Sequence, residues 1–166
     1  MTALEIYLTS SFPDGDREYI DGEIRERNLG TPEHSAIQGW LVWWFMEYAK
    51  EWGIKVRPEL RMKATPSRFR VPDVMLYEAQ KRYRRFVTEP PVLVIEIWSP
   101  EDTRREYAVR FADFYEMGIE NVWVIDPFER KAYIIVDGEW RAADKLTVKD
   151  RPIFADCAEM FKSLDE

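Results

Sequence analysis

The segment Val92-Leu93-Val94-Ile95-Glu96-Ile97-Trp98 constrains this chain more than any other stretch, because it is apolar at every position except Glu96. A strand with one wet face alternates apolar and polar residues, whereas a near-continuous apolar run belongs to a central strand covered on both faces. Covering both faces requires flanking layers, so the run predicts an α/β fold with a mixed sheet between helices. The 166 residues, 46% of them hydrophobic, are long enough for such a core and exclude disorder.

Local signals fill in the layers. Thr31-Pro32-Glu33-His34 reads as a helix start: Thr31 caps, Pro32 suits the first turn, and Glu33 complements the positive end of the dipole. Ile37, Leu41, Trp44, Phe45, Tyr48 and Trp52 recur at helical spacing, and Gly53 offers a stop. Trp40 and Trp43 widen this apolar surface, which predicts burial in the core or in a homodimer interface. Strands are expected over 54–62, with Pro58 marking an edge or bulge, over 69–77, with Pro72-Asp73 inside it, and over 92–98. Ser99 to Thr103 leads into a helix that reaches about Met117 and ends at Gly118, with Thr103 and Glu106 at capping-box spacing. A fourth strand covers 121–125, and Asp137-Gly138 turns a hairpin of 132–136 with 139–141. Asp21-Gly22 signals another hairpin in an N-terminal arm, and 157–164 reads as a short terminal helix. No repeat or flexible linker divides the chain, so a single domain over 1–166 is expected.

Composition restricts partners and compartment. Cys157 is the one cysteine, which excludes an internal disulfide framework and a cysteine-rich zinc site. No apolar stretch approaches the roughly 18 residues of a spanning helix, and no secretory leader is evident, so a cytoplasmic protein is expected. The net charge of −7 argues against indiscriminate coating of nucleic acid. That average conceals an asymmetry. Residues 57–85 hold nine basic and three acidic side chains, a local +6 that leaves −13 for the rest. A local positive potential can steer a polyanion even on an acidic protein, although solvated strand faces also carry Arg and Lys.

Glu96 is the most informative polar residue. An ionised carboxylate inside an apolar strand needs a cation, an arginine or a metal, or else shifts its pKa and stays neutral. Asp73, between Pro72 and Val74, poses the same problem in the preceding strand. If the two strands are neighbours, both carboxylates can converge on one point. Oxygen ligands of this kind hold Mg²⁺ or Mn²⁺ for phosphate chemistry, and arginine pairs would satisfy the same acids structurally.

The stretches Arg70-Val71-Pro72-Asp73-Val74, Pro91 to Pro100 and Gly118 to Pro127 together resemble the Uma2 family of endonucleases. The resemblance extends back to Glu18-Tyr19-Ile20-Asp21-Gly22-Glu23 and Pro32-Glu33-His34-Ser35, and forward to 154–164. It implies the PD-(D/E)xK restriction-endonuclease-like core of helix, three strands, helix and strand. It also implies a Mg²⁺ or Mn²⁺ cofactor held by Asp73, Glu96 and the backbone carbonyl of Ile97, and hydrolysis of a nucleic-acid phosphodiester, expected to be DNA. Two residues after Glu96, where the motif has lysine, this chain has Trp98; the family's helix-borne lysine is matched by Arg110. An arginine can stabilise transition-state charge but stays protonated and cannot act as a base. Arg70 and Arg104 are expected to contact substrate phosphates, and His34, Glu33 and Glu18 are further candidates for the site. The substitutions at Trp98 and Arg110 equally suit a catalytically impaired relative that binds nucleic acid or protein as a homodimeric module.

Overall fold

A computed structural model describes residues 1–28 and 30–166. In chain order the elements are helix α1 (Ala3–Thr9), strands β1 (Glu18–Ile20) and β2 (Glu23–Arg25), helix α2 (Pro32–Trp52), strands β3 (Ile54–Pro58), β4 (Met62–Thr65), β5 (Arg68–Arg70), β6 (Val74–Glu78) and β7 (Leu93–Ile97), helix α3 (Arg104–Met117), strands β8 (Val122–Asp126), β9 (Lys131–Val136), β10 (Glu139–Ala142), β11 (Lys145–Thr147) and β12 (Phe154–Asp156), and helix α4 (Cys157–Lys162). The main sheet has the order β10-β9-β8-β7-β6-β3 and is mixed: β7 and β8 run parallel, joined through α3, and the other pairs are antiparallel. A second sheet, β2-β1-β5-β4, and the small pair β11-β12 complete the β structure.

Strand β7 lies inside the main sheet and is covered on both faces. Leu93 and Ile95 pack with Ile37, Leu41, Trp44 and Phe45 of α2, whereas Val94 packs with Tyr107, Phe111 and Phe114 of α3. Met62 and Ala64 of the second sheet join that α3 side. The unbroken apolar run thus reflects two hydrophobic layers, each buried aliphatic side chain contributing about 1.5–3 kcal/mol.

The helix limits follow from capping. Thr31 Oγ1 accepts from the His34 N–H, and Gly53, left-handed at φ 63°, returns its N–H to the Ala49 carbonyl. Thr103 caps α3 in the same way, and Gly118 ends it at φ 95°. Positive φ at Asp21 and Gly22, and at Asp137 and Gly138, supplies the tight turns of β1-β2 and β9-β10.

Two expected strands are each broken, for identifiable reasons. Residues 69–77 divide into β5 and β6, which belong to different sheets. The Val71 N–H is taken by the Glu18 carboxylate and Pro72 has none, so no ladder can run through the join. Residues 54–62 divide after Pro58, where Glu59 takes a positive φ of 48° and turns the chain toward β4. Helix α1 and the β11-β12 pair are additional to the elements read from the sequence, and β9 starts one residue earlier, at Lys131.

The aromatic surface of α2 is mostly internal. Trp44, Tyr48 and Trp52 pack on Phe154, Phe45 meets Trp123, and the Trp44 indole N–H donates to the Phe154 carbonyl. Trp43 and Met46 are the exposed remainder. No helix is long and apolar enough to cross a membrane among the described residues.

Candidate active site

Strand register brings the two singled-out carboxylates together. Val74 pairs with Ile95 across the antiparallel β6-β7 ladder, so position 73, just before β6, lies level with Glu96. The Ile97 N–H donates to Asp73 Oδ2 at 2.7 Å, which fixes the aspartate against the end of β7. Both acids line a cavity of about 380 Å³ that is also bordered by Glu18, Arg27, His34, Arg70, Ile97, Asp102, Tyr107 and Arg110. Asp73 and Glu96 are each 4% exposed and Glu18 is 6% exposed. Three carboxylates therefore share a poorly hydrated space.

Guanidinium groups hold them there. Arg27 donates to Asp73 Oδ1 and Glu59 Oε1, both at 2.9 Å, and His34 Nε2 lies 3.1 Å from the same Asp73 oxygen. Arg110 bridges Glu18 Oε1 at 2.7 Å and Glu96 Oε1 at 3.0 Å. Arg70 joins Glu18 to Asp113 of α3, and Arg68 joins Asp113 to Asp21. The result is a chain of alternating charges from the second sheet through α3 to β7. Arg110 Nε is buried without a hydrogen-bond partner among the described residues.

The charges do not balance equally. Burial pushes Glu18 up, but Arg110 and Arg70 outweigh it and bring its carboxyl down to about 2. Glu96 goes the other way, to about 7: burial raises it, Arg110 opposes, and the nearby Asp73 and Glu18 carboxylates add to the rise. Negative charge at Glu96 is thus incompletely met by the protein. His34 is raised despite burial, by its hydrogen bond to Asp73 and by that carboxylate's charge. The helix start disfavours an imidazolium, but the direct contact with Asp73 prevails over it.

Two site candidates lie elsewhere. Arg104 is not in the cavity wall; its guanidinium stacks 3.6 Å over Trp140 and 5.7 Å from the Tyr133 ring centre. Glu33, in the first turn of α2, is likewise outside the cavity wall. Arg70 borders the cavity, but its donors are committed to Glu18 and Asp113. Trp98, at the position of the motif's lysine, stacks on Tyr107 with ring centres 5.1 Å apart. Of the nine basic side chains over 57–85, Arg61 pairs with Asp16, Arg68 and Arg70 pair as above, and Lys81 pairs with Glu89, so four of the nine are met by acids.

Two residues bordering the cavity carried no signal strong enough to single them out. Arg27 lies in a polar stretch before α2 with no periodicity. Asp102, whose Oδ2 accepts from the Ser99 N–H and the Tyr107 hydroxyl, was foreshadowed only by its turn-forming position after Ser99-Pro100.

The donor set suits a hard divalent cation. Such ions prefer oxygen and are commonly held by one or two carboxylates, with water and substrate oxygens completing the shell. Asp73 and Glu96 provide two carboxylates, and the unmet charge at Glu96 is what a bound cation would relieve. No group of three or more His, Cys, Asp and Glu side chains able to hold a metal occurs among the described residues, so side chains alone do not build a closed cage.

A mixed sheet with α2 on one face and α3 on the other, and two acids level with each other, one just before β6 and one on β7, defines a restriction-endonuclease-like fold. The chain belongs to the Uma2 family, described as "Putative restriction endonuclease", whose sequence profile matches residues 4–158. A crystal structure of "a putative nuclease belonging to DUF820 from Anabaena variabilis ATCC 29413" has the same fold, with a TM-score of 0.80, 22% identity and 99% of each chain covered. A cryo-electron microscopy structure of a "DrdV-DNA complex" matches 80% of this chain and 12% of that one at 16% identity, with a TM-score of 0.46. No curated protein matches the chain.

Proposed function

We propose that the cavity hydrolyses nucleic-acid phosphodiesters, with DNA as substrate and Mg²⁺ or Mn²⁺ as cofactor. The observation that carries this reading is the pairing of Asp73 and Glu96 in one cavity, with Glu96 held near neutrality by burial and by the other acids. Asp73 and Glu96 would hold the cation, with the Ile97 backbone as a third protein contributor. When bound, the cation supplies Lewis acidity toward a phosphoryl oxygen and makes water more acidic. The protein's own groups do the rest. Arg110, always protonated, meets the charge that develops on phosphoryl oxygens if it swings from Glu96 toward substrate. His34 keeps Asp73 oriented through its contact with Oδ1. Glu18 anchors Arg110 and Arg70, and so fixes the cavity wall.

Nicking of supercoiled plasmid tests this reading: conversion to open circle is expected with Mn²⁺ or Mg²⁺, none with EDTA, and none in Glu96→Gln. Undiminished cleavage by that variant overturns the assigned role.

A second reading follows from the guanidinium groups. Arg27 and Arg110 already neutralise Asp73 and Glu96 in part, which suits a non-catalytic relative that binds nucleic acid or a partner protein, with Trp43 and Met46 as an available dimer contact. Calorimetry separates the two: heat of Mn²⁺ binding that is lost in Asp73→Asn supports the enzyme, whereas no binding by the folded protein supports the module. If Arg110→Ala binds metal but no longer nicks, the arginine acts in the chemical step. Equal loss in Arg110→Lys means that the forked geometry is needed.

A further inference from the structure

We propose that Lys55, Arg57 and Arg82, gathered around Tyr77 at the β3 edge of the main sheet, form a seat for the phosphate backbone of nucleic acid. The choice of ligand rests on the function proposed above; the seat itself rests on geometry. β3 is the outermost strand of the six, and Lys55 and Arg57 are two residues apart on it, so both point to one face about 7 Å apart. That spacing is of the order of the separation between neighbouring phosphates on one strand. Lys55 stands directly opposite Tyr77 on β6, and the ammonium of Lys55 and the guanidinium of Arg57 each lie 5.9 Å from the Tyr77 ring centre.

The third cation converges on the same place. Lys55 Nζ and Arg82 Nη1 both donate to the carbonyl of Lys81, at 3.2 and 3.0 Å, and Arg82 also donates to the Ala79 carbonyl. Arg57 donates to its neighbouring Val56 carbonyl. All three are thus positioned by neutral groups, a ring and carbonyl oxygens, and none meets a carboxylate among the described residues. The acids of the surrounding segment are engaged elsewhere: Glu59 and Asp73 by Arg27, Glu78 by Arg151 and Glu89 by Lys81. Partial burial lowers the Lys55 ammonium from its usual value, and the like charges of Arg82 and Arg57 add to the fall. A polyanion relieves that repulsion.

The seat is placed to serve the cavity. Tyr77 lies four residues beyond Asp73 on β6, about 14 Å along the strand. Its side chain packs in the α3-side layer with Val94, and Glu96 reaches the same helix through Arg110. A backbone gripped at the sheet edge can therefore continue toward the two acids.

Fluorescence polarisation of a short labelled DNA duplex, in EDTA and over about 50 to 200 mM KCl, tests the seat. The wild-type protein is expected to bind at low salt. Lys55→Gln, Arg57→Gln and Arg82→Gln combined are expected to weaken binding at least tenfold at about 50 mM salt and to flatten the plot of log K against log salt by about 2 to 3. A control combining Lys50→Gln, Lys149→Gln and Lys162→Gln, equal in charge but elsewhere on the surface, is expected to keep the wild-type slope. Binding is read in EDTA, where no hydrolysis is expected, so a failure of the catalytic reading leaves this result standing. The inference is overturned if the wild-type protein does not bind, if the triple variant keeps the wild-type slope while its circular dichroism shows it folded, or if the control flattens the slope equally. An unfolded triple variant is replaced by Lys55→Gln with Arg57→Gln, whose slope is expected to flatten by about 2 and whose unchanged slope is equally fatal.

Discussion

Glu96→Gln isolates the charge imbalance at the centre of the cavity. The carboxyl titrates at about 7 in the folded protein instead of 4.5. Between those values the folded chain keeps a proton that the unfolded chain has released, so the Glu96 contribution to stability falls as pH rises through this window. The separation corresponds to about 3 kcal/mol between pH 4.5 and pH 7. His34, raised in the folded state, also favours stability at low pH and loses it as pH rises past its folded value. That contribution is common to both proteins and largely cancels in their difference. Glutamine mimics the protonated acid, so the two proteins are expected to be nearly equal in stability at pH 4.5. By pH 8 the variant is expected to be the more stable by about 3 kcal/mol, although it has lost the proposed metal ligand. Urea unfolding at half-unit pH intervals from 4.5 to 8 measures the gap. Adding Mn²⁺ at pH 8 is expected to narrow it by stabilising only the wild-type protein. A gap that does not change with pH, or a variant less stable at pH 8, refutes the view that Glu96 carries unmet charge.

Three further outcomes are expected. Arg70→Ala removes one of the two guanidinium groups that meet each of Glu18 and Asp113, leaving Arg110 and Arg68, and is expected to cost about 1.5–3 kcal/mol in urea unfolding; a loss below about 1 kcal/mol contradicts the structural role given to Arg70. Gly118→Ala places a Cβ 3.3 Å from Pro90 Cγ at a φ of 95°, so a destabilisation of more than about 1 kcal/mol is expected, read as a fall in thermal midpoint. The Cys157 thiol is buried and pushed up to about 11, first by burial and then by Asp156, so reaction with a disulfide reagent at pH 8 is expected only at the rate of unfolding. Fast reaction of the native protein counts against that packing.

The parts of this fold that were legible in the sequence are those set by neighbours along the chain. A cap at Thr31 and a stop at Gly53 define α2 because the bonds they make span three or four residues. The doubled burial of 92–98 is written in its composition, because a strand between two hydrophobic layers has no polar alternation to show. Asp73 and Glu96 stood out for the same reason, as charges where the pattern allows none. What only the tertiary structure decided are the partners of those charges. Arg27 reaches Asp73 across 46 positions and Arg110 reaches Glu18 across 92, and no spacing rule operates at such separations. The division of 69–77 into two strands has the same origin, since it depends on a carboxylate from β1 arriving at the Val71 N–H. Backbone propensity and hydrophobic period act locally and so are recorded in the order of residues. Ion pairing in a poorly hydrated cavity depends on which distant side chains the fold brings together, and that choice fixed the raised carboxyl of Glu96.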